Sequence, residues 1–156
     1  MASCGIEIRT VQSPEESRQF HELLWEVLWK PIGLPRDIRA SLEMKSQKFE
    51  LVALQDSVVV GGLVAFRLSD SEIELRYIAI RPDCQRRSIG TRLVGELIAM
   101  ADVDSTATIR THARNTALGF WDKLGFRPAS DEWLEYPDFA AHGIKFRVME
   151  YTVTRS

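Results

Sequence analysis

The chain has 156 residues, of which 45% are hydrophobic and 27% charged, with a formal net charge of -2. That length and composition predict one soluble globular domain, residues 1–156, able to bury a sizeable core. The near-neutral balance excludes the electrostatic footprint of a nucleic-acid-binding protein, and no apolar run is long enough to cross a membrane. Cys4 and Cys84 are too few for a metal site or a disulfide framework. Together with an N-terminus that runs straight into a strand-like segment rather than a leader, they predict a reducing, cytoplasmic location and no metal.

Ile6 to Thr10 alternates and predicts a first strand. Ser13-Pro14-Glu15-Glu16 is a helix start, with Ser13 as N-cap, Pro14 at N1 and Glu16 three residues after the cap. Phe20, Leu23, Leu24, Val27 and Leu28 then recur at helical spacing until Pro31, Gly33 and Pro35 break the pattern. A short second helix follows from Arg36 to about Met44, with Ile38 and Leu42 inward. Trp25, Trp29 and Met44 are read as core before they are read as the wall of a pocket.

Three strands come next: Phe49–Leu54, Val58–Leu68 and Glu72–Ile80, joined by the short turns Gln55-Asp56-Ser57 and Ser69-Asp70-Ser71. Such spacing predicts an antiparallel meander. The pair Gly61-Gly62 marks a bulge or a close backbone approach. Along the fourth strand, alternation places Glu72, Glu74 and Arg76 on one face and Ile73, Leu75 and Tyr77 on the other. A helix then runs from Thr91 to about Ala101, and Ala107–His112 is a fifth strand. Asn115 or Thr116 caps a helix that ends at Lys123, with Gly125 at C′. Phe126 opens another strand-like segment, and Lys145–Val153 alternates as the last strand. The order β-α-α-β-β-β-α-β-α-β-β predicts an α/β (α+β) mixed sheet with helices on both faces. It disfavours a doubly wound nucleotide fold, in which β and α alternate from the start, and there is no Gly-Lys-Ser/Thr phosphate loop.

The segment Gln85-Arg86-Arg87-Ser88-Ile89-Gly90, followed by Thr91, lies between the fourth strand and a helix. A tight loop there aims backbone N–H groups at one point, and the helix N-terminus adds partial positive charge. This is the layout of a cradle for a polyanionic cofactor. Gln-x-x-Gly-x-Gly after a strand ending in Ile-Arg-Pro resembles the coenzyme A motif of the GNAT superfamily, the Gcn5-related N-acetyltransferases, with Ser88 in place of the first glycine. A second stretch, Ala113 to Phe126, resembles the late GNAT motif with a short helix and Phe-Tyr-x-Lys-Leu-Gly-Phe, with Trp121 at the tyrosine. The two occur in the family's order, and with the upstream strands they cover roughly residues 50 to 127. Gly143-Ile144 before the last strand is similar to a bacterial subgroup ending in Gly-Ile-Pro-His-x-x-Met, although Lys145 and Phe146 replace the Pro-His pair.

The resemblance implies transfer of an acetyl group from acetyl-CoA to a primary amine of a small molecule or protein by direct attack. The alternative is a non-catalytic acyl-CoA-binding sensor on the same scaffold. It implies strands four and five running parallel and splaying apart. The pantetheine arm then lies against Ile78, Ala79 and Ile80, and the pyrophosphate meets Gln85, Arg86, Arg87, Ser88, Ile89, Gly90 and Thr91. Asn115 and Trp121 complete the cofactor site. Glu74 is the candidate general base, with a pKa raised if its cleft is partly dry; a carboxylate paired with Arg76 is the plainer reading of the same residue. His112 is the alternative base, although a buried, hydrogen-bonded histidine is the plainer reading. The Ala79 backbone N–H is the candidate oxyanion donor, with Ile80 beside it. An indole N–H at Trp121 donates a hydrogen bond but is no proton source near neutral pH, which leaves water or Tyr77 to serve the leaving thiolate. Cys84 is exposed by pattern, and an acyl-cysteine route through it is disfavoured. Glu132, Glu135 and Asp138 are candidates to attract a cationic amine. An open sheet edge makes a homodimer an expectation as well.

Overall fold

A computed structural model describes residues 5–85 and 88–153. Its centre is one seven-stranded sheet in the order β1-β2-β3-β4-β5-β7-β6. The strands are β1 (Ile6–Thr10), β2 (Lys48–Gln55), β3 (Val58–Ser69), β4 (Glu72–Ile80), β5 (Thr108–Arg114), β6 (Arg127–Pro128) and β7 (Phe146–Thr152). All neighbours are antiparallel except β4 and β5, which run parallel. This is the mixed sheet that the element order predicts. The helices are α1 (Pro14–Leu24), α2 (Ile38–Leu42), α3 (Ile89–Val103), α4 (Leu118–Lys123) and α5 (Pro137–Ala140).

The start of α1 follows the sequence signal with one change. Ser13 Oγ accepts the Glu16 N–H at 3.1 Å. Glu16 does not return to Ser13: its carboxylate takes the Gln12 N–H at 2.9 Å and both Nη groups of Arg9. The helix is thus stitched to β1 rather than closed on its own cap. Phe20, Leu23 and Leu24 bury its apolar face, each worth roughly 1.5–3 kcal/mol of transfer free energy. Beyond Leu24 the helix widens into a π-helical turn, Trp25–Trp29, then tightens into a 3₁₀ turn, Lys30–Ile32, and stops at Gly33 with φ of 79°. The α4 end is a Schellman closure: Phe126 N–H bonds Trp121 O at 3.0 Å, Gly125 N–H bonds Asp122 O at 3.0 Å, and Gly125 takes φ of 97°.

Two apolar layers sandwich the sheet. On one side Leu93, Val94 and Leu97 of α3, with Trp121 and Phe126, pack on Leu51, Leu63, Ile73, Leu75 and Ile109. On the other, Phe20, Leu24 and Trp29 pack on Val52, Val64, Phe66, Tyr77 and Ala79.

Tyr77 therefore lies on the opposite side from Leu75, contrary to strict alternation. The β3–β4 ladder pairs Val64 with Tyr77 and then Ala65 with Leu75, so Arg76 is an extra residue. A bulge of this kind turns two successive side chains to one side and sharpens the local twist. Glu74, Arg76 and Tyr77 consequently share the α1–α2 face. Arg76 and Tyr77 both donate to Leu42 O, at 3.1 and 3.4 Å. A second bulge breaks the β2–β3 ladder beside Gly61-Gly62, between Ala53 and Leu54.

A candidate active site in the gap between β4 and β5

Pairing between the parallel strands runs from Glu72 with Thr108 to Leu75 with Thr111 and stops there, although β4 continues to Ile80 and β5 to Arg114. The stop coincides with the Arg76 bulge, where extra twist carries β4 away from β5. Thr111 Oγ1 donates to Leu75 O at 3.0 Å at the point of divergence.

Beyond it one edge of β4 is open. Arg81 N–H bonds Val60 O at 2.8 Å, so by antiparallel alternation the Ala79 N–H also faces β3, while those of Ile78 and Ile80 face the gap. The expected use of the Ala79 amide as a free donor is corrected accordingly: β3 takes it, and Ile78 and Ile80 offer theirs. The Ile80 carbonyl, on the same open edge, accepts Gln85 Nε2 at 3.3 Å.

The chain then turns into α3. Ser88 adopts φ of 62°, the left-handed conformation a glycine would take without the cost of roughly 1–2 kcal/mol. The first bond closing onto α3 is Arg92 N–H to Ser88 O at 3.0 Å, and no side chain among the described residues caps the helix start. The N–H groups of Ile89, Gly90 and Thr91 are thus without acceptors among the described residues. Arg86 and Arg87 lie outside the described residues. Cys84, expected to be exposed, is 1% exposed and packs in the α3-side core.

A cavity of about 770 Å³ occupies the gap. Ile78, Gln85, Thr116, Ala117 and Trp121 line it, and so do Trp29, Leu42, Tyr77 and Phe139. Trp121 belongs to the apolar layer on one face of the sheet, Trp29 and Tyr77 to the layer on the other. The cavity therefore passes through the sheet between the splayed strands.

Four polar side chains that carry or can carry charge line it on the α1–α2 face or at the ends of the strands: Glu74, Arg76, His112 and Arg114, with the exposed Asp138 at the rim. Glu74 is 8% exposed and pairs with Arg76 Nη1 at 3.0 Å, the plainer of its two sequence readings. Arg76 is itself held by Leu42 O and by Met44 Sδ at 3.7 Å. His112 sits on β5 within reach of Glu74's charge. Burial holds its imidazole below the usual value; Glu74 pulls the other way, and Arg110 and Arg76 push it down further. The ring is therefore neutral at pH 7.

A depressed histidine pKa makes the unfolded chain the stronger proton binder as pH falls below about 6.5. The stability associated with neutral His112 is present above that pH and lost as pH falls towards the folded-state value. His112→Asn should flatten the decline in urea midpoint between pH 7 and 5 relative to wild type. Parallel slopes in the two proteins would show that His112 does not carry this dependence.

Not every expected residue reaches the site. The Asn115 side chain caps nothing in α4, whose N-cap is Ala117. It accepts the Lys145 N–H at 3.1 Å and donates to Gly143 O at 3.2 Å, tying the end of β5 to the approach of β7. Glu132 and Glu135 do not line the cavity; Asp138 does. Trp29 is both core and cavity wall, whereas the Trp25 indole is held by Leu34 O at 2.8 Å. Arg76 figures in the sequence only as a partner for Glu74, and Arg114 has no assigned role there; the hint for Arg114 is its position, two residues beyond His112 on one strand face.

Solved structures with this fold include an aminoglycoside 6'-N-acetyltransferase complexed with coenzyme A, at TM-score 0.78 and 17% identity, covering 96% of this chain and 98% of that one. The ribosomal-protein-S18-alanine N-acetyltransferase of Escherichia coli matches at TM-score 0.74 and 18% identity over 97% and 96% of the two chains. At such identities the likeness establishes the fold. The model of the acetyltransferase (GNAT) domain family matches residues 12–153, and the chain belongs to that family. It is also 30% identical over 96 residues to the histone acetyltransferase GCN5 of Oryza sativa subsp. japonica. That match takes in 60% of this chain and 19% of the rice protein, so the chain aligns with about a fifth of its relative. Among the described residues, no helix is long and apolar enough to cross a membrane, and no group of three or more His, Cys, Asp or Glu is placed to hold a metal.

Proposed function

We propose that the chain, acting as one unit over residues 1–156, transfers an acetyl group from acetyl-CoA to a primary amine by direct attack. The observation that carries this reading is the cavity through the sheet, bordered by an unpaired β4 edge that leads to an uncapped helix start. An extended chain of amides fits the first feature, because the Ile78 and Ile80 groups need partners. A pyrophosphate fits the second, at Ile89, Gly90 and Thr91. A thioester carrier with a pyrophosphate tail matches both.

Acetyl-CoA supplies the activated acyl group. Entering from the α1–α2 face, the amine meets Glu74, which takes its proton directly or through water. The amine nitrogen bonds to the thioester carbon, the carbon–sulfur bond breaks, and the thiolate leaves. Negative charge on the thioester oxygen is met by an N–H of the β4 edge, at Ile78 or Ile80. Trp121 lines the cavity with no acceptor for its indole N–H among the described residues. It donates to the thioester group or the arm without giving up its proton. Titration of acetyl-CoA into the full chain should show saturable binding, and a free-thiol assay over an amine panel should show CoA release. Absence of binding at millimolar acetyl-CoA overturns the reading, while binding without release for any amine favours the sensor alternative.

A further inference from the structure

Arg114 is the one cationic side chain lining the cavity that has no carboxylate partner among the described residues. Arg76, the other arginine there, is paired with Glu74. Arg114 stands at the end of β5. Its Nη2 donates to Leu28 O at 3.2 Å, and its guanidinium carbon lies 5.6 Å from the Phe139 ring centroid. These two contacts orient the fork and leave its Nε and Nη1 donors without acceptors among the described residues. Neither atom is among the sealed, unpartnered nitrogens, which belong to Arg39, Arg110 and Arg147. They are open to the cavity or to solvent. Burial also pulls this guanidinium below its usual pKa, with no carboxylate to offset it. A half-buried arginine held in place by a carbonyl and a ring, with free donors, is arranged for an oxyanion that arrives from outside.

Leu28 and Phe139 beside it, and Val27, Leu34, Ile38 and Leu42 elsewhere in the lining, give the cavity an apolar share, with Asp138 at its rim. We propose that Arg114 binds the carboxylate of the acceptor, and that the acceptor is a small amine with an apolar body and a carboxylate, such as an apolar α-amino acid. This rests on the transferase reading for the amine end and on Arg114 alone for the acid end. It also sets this cavity against polycationic acceptors, for which an unpaired arginine is repulsive.

Matched ligands test it. L-phenylalanine and phenethylamine share the amine and the ring and differ by the carboxylate; 1-amino-2-phenylethylphosphonate exchanges carboxylate for phosphonate. CoA release should give wild type a kcat/KM about 10- to 100-fold higher for phenylalanine than for phenethylamine, the range of a charge-assisted bond to a buried partner. In Arg114→Gln that ratio should fall to near one, and Arg114→Lys should restore part of it. Equilibrium binding of N-acetylphenylalanine against N-acetylphenethylamine, read by tryptophan fluorescence, should show the same discrimination without requiring turnover. Thermal melts of both variants establish that they fold. Acetyl-CoA titration in the same samples reports separately on the transferase reading. A wild-type protein that prefers phenethylamine, or an Arg114→Gln protein that keeps the wild-type ratio, overturns the assignment. Tighter binding of the phosphonate by more than about 10-fold overturns the carboxylate in favour of a phosphate-type anion.

Discussion

Glu74→Gln should lower kcat/KM for amine acetylation by about 10²- to 10³-fold, the contribution expected of a positioned general base and equivalent to about 3–4 kcal/mol of transition-state stabilisation. Acetyl-CoA affinity should change little, because Glu74 lies on the α1–α2 face and the β4 edge and the α3 start do not depend on it. The substitution keeps the shape of the side chain but leaves Arg76 half-buried without its counter-charge, which has a stability cost of its own. Glu74→Gln combined with Arg76→Gln separates the two effects: stability should recover and activity should not. The pH profile supplies a second separation. Without a base, reaction needs amine that is already free, so activity in Glu74→Gln should keep climbing towards the acceptor amine's own pKa, whereas wild type levels off earlier. The neutral His112 across the gap provides the decisive comparison. A loss in His112→Asn larger than in Glu74→Gln would move the base to the histidine.

Gly62→Ala should destabilise the fold by about 2–3 kcal/mol, the range of a small-to-large change in a close-packed interior. A Cβ there would lie 2.5 Å from Phe20 Cε1 and 2.7 Å from Leu51 O. The ring belongs to α1, which has no room to lift because Phe20 is fully buried. The carbonyl belongs to β2, where register is set by Val52 pairing with Gly62. Neither neighbour is the loose end of a flexible side chain. For a domain of this size the melting temperature should fall by about 5–10 °C. Gly95→Ala is the matching control. That position is on the exposed side of α3 with nothing within 4 Å of an added Cβ, so alanine's higher helix propensity should raise stability slightly, by about 0.5–1 kcal/mol. Equal losses at the two glycines would argue against close approach as the reason for Gly62.

Much of the scaffold is legible in the chain because it rests on short-range rules. The Ser13-Pro14 start of α1 and the Gly125 end of α4 are local hydrogen-bond arrangements between residues a few positions apart. The β2–β3–β4 meander follows from apolar alternation and two tight turns. The first of these, at Asp56 and Ser57, has φ of 51° and 68°, a primed geometry that brings antiparallel partners together. The positions of β4 and α3 on either side of Gln85 and Ser88 follow for the same reason. Ser88, a poor residue for the left-handed region, nonetheless takes φ of 62° at the start of α3.

The chemistry of the cavity is a different matter, because its groups come from segments far apart in the chain. No pattern around Arg76 signals that β4 gains a residue there. That bulge turns Tyr77 to the other face, hands the Ala79 amide to β3 and opens the strand edge at Ile78 and Ile80. Nor does spacing decide between the two readings of Glu74, or reveal that His112 is neutral or that Arg114 rests on Leu28 O, 86 residues away. Local propensity and periodicity suffice to place helices, strands and the connection from β4 to α3. Which charges are paired and which are left open depends on the burial and neighbours that arise once the sheet has closed around them.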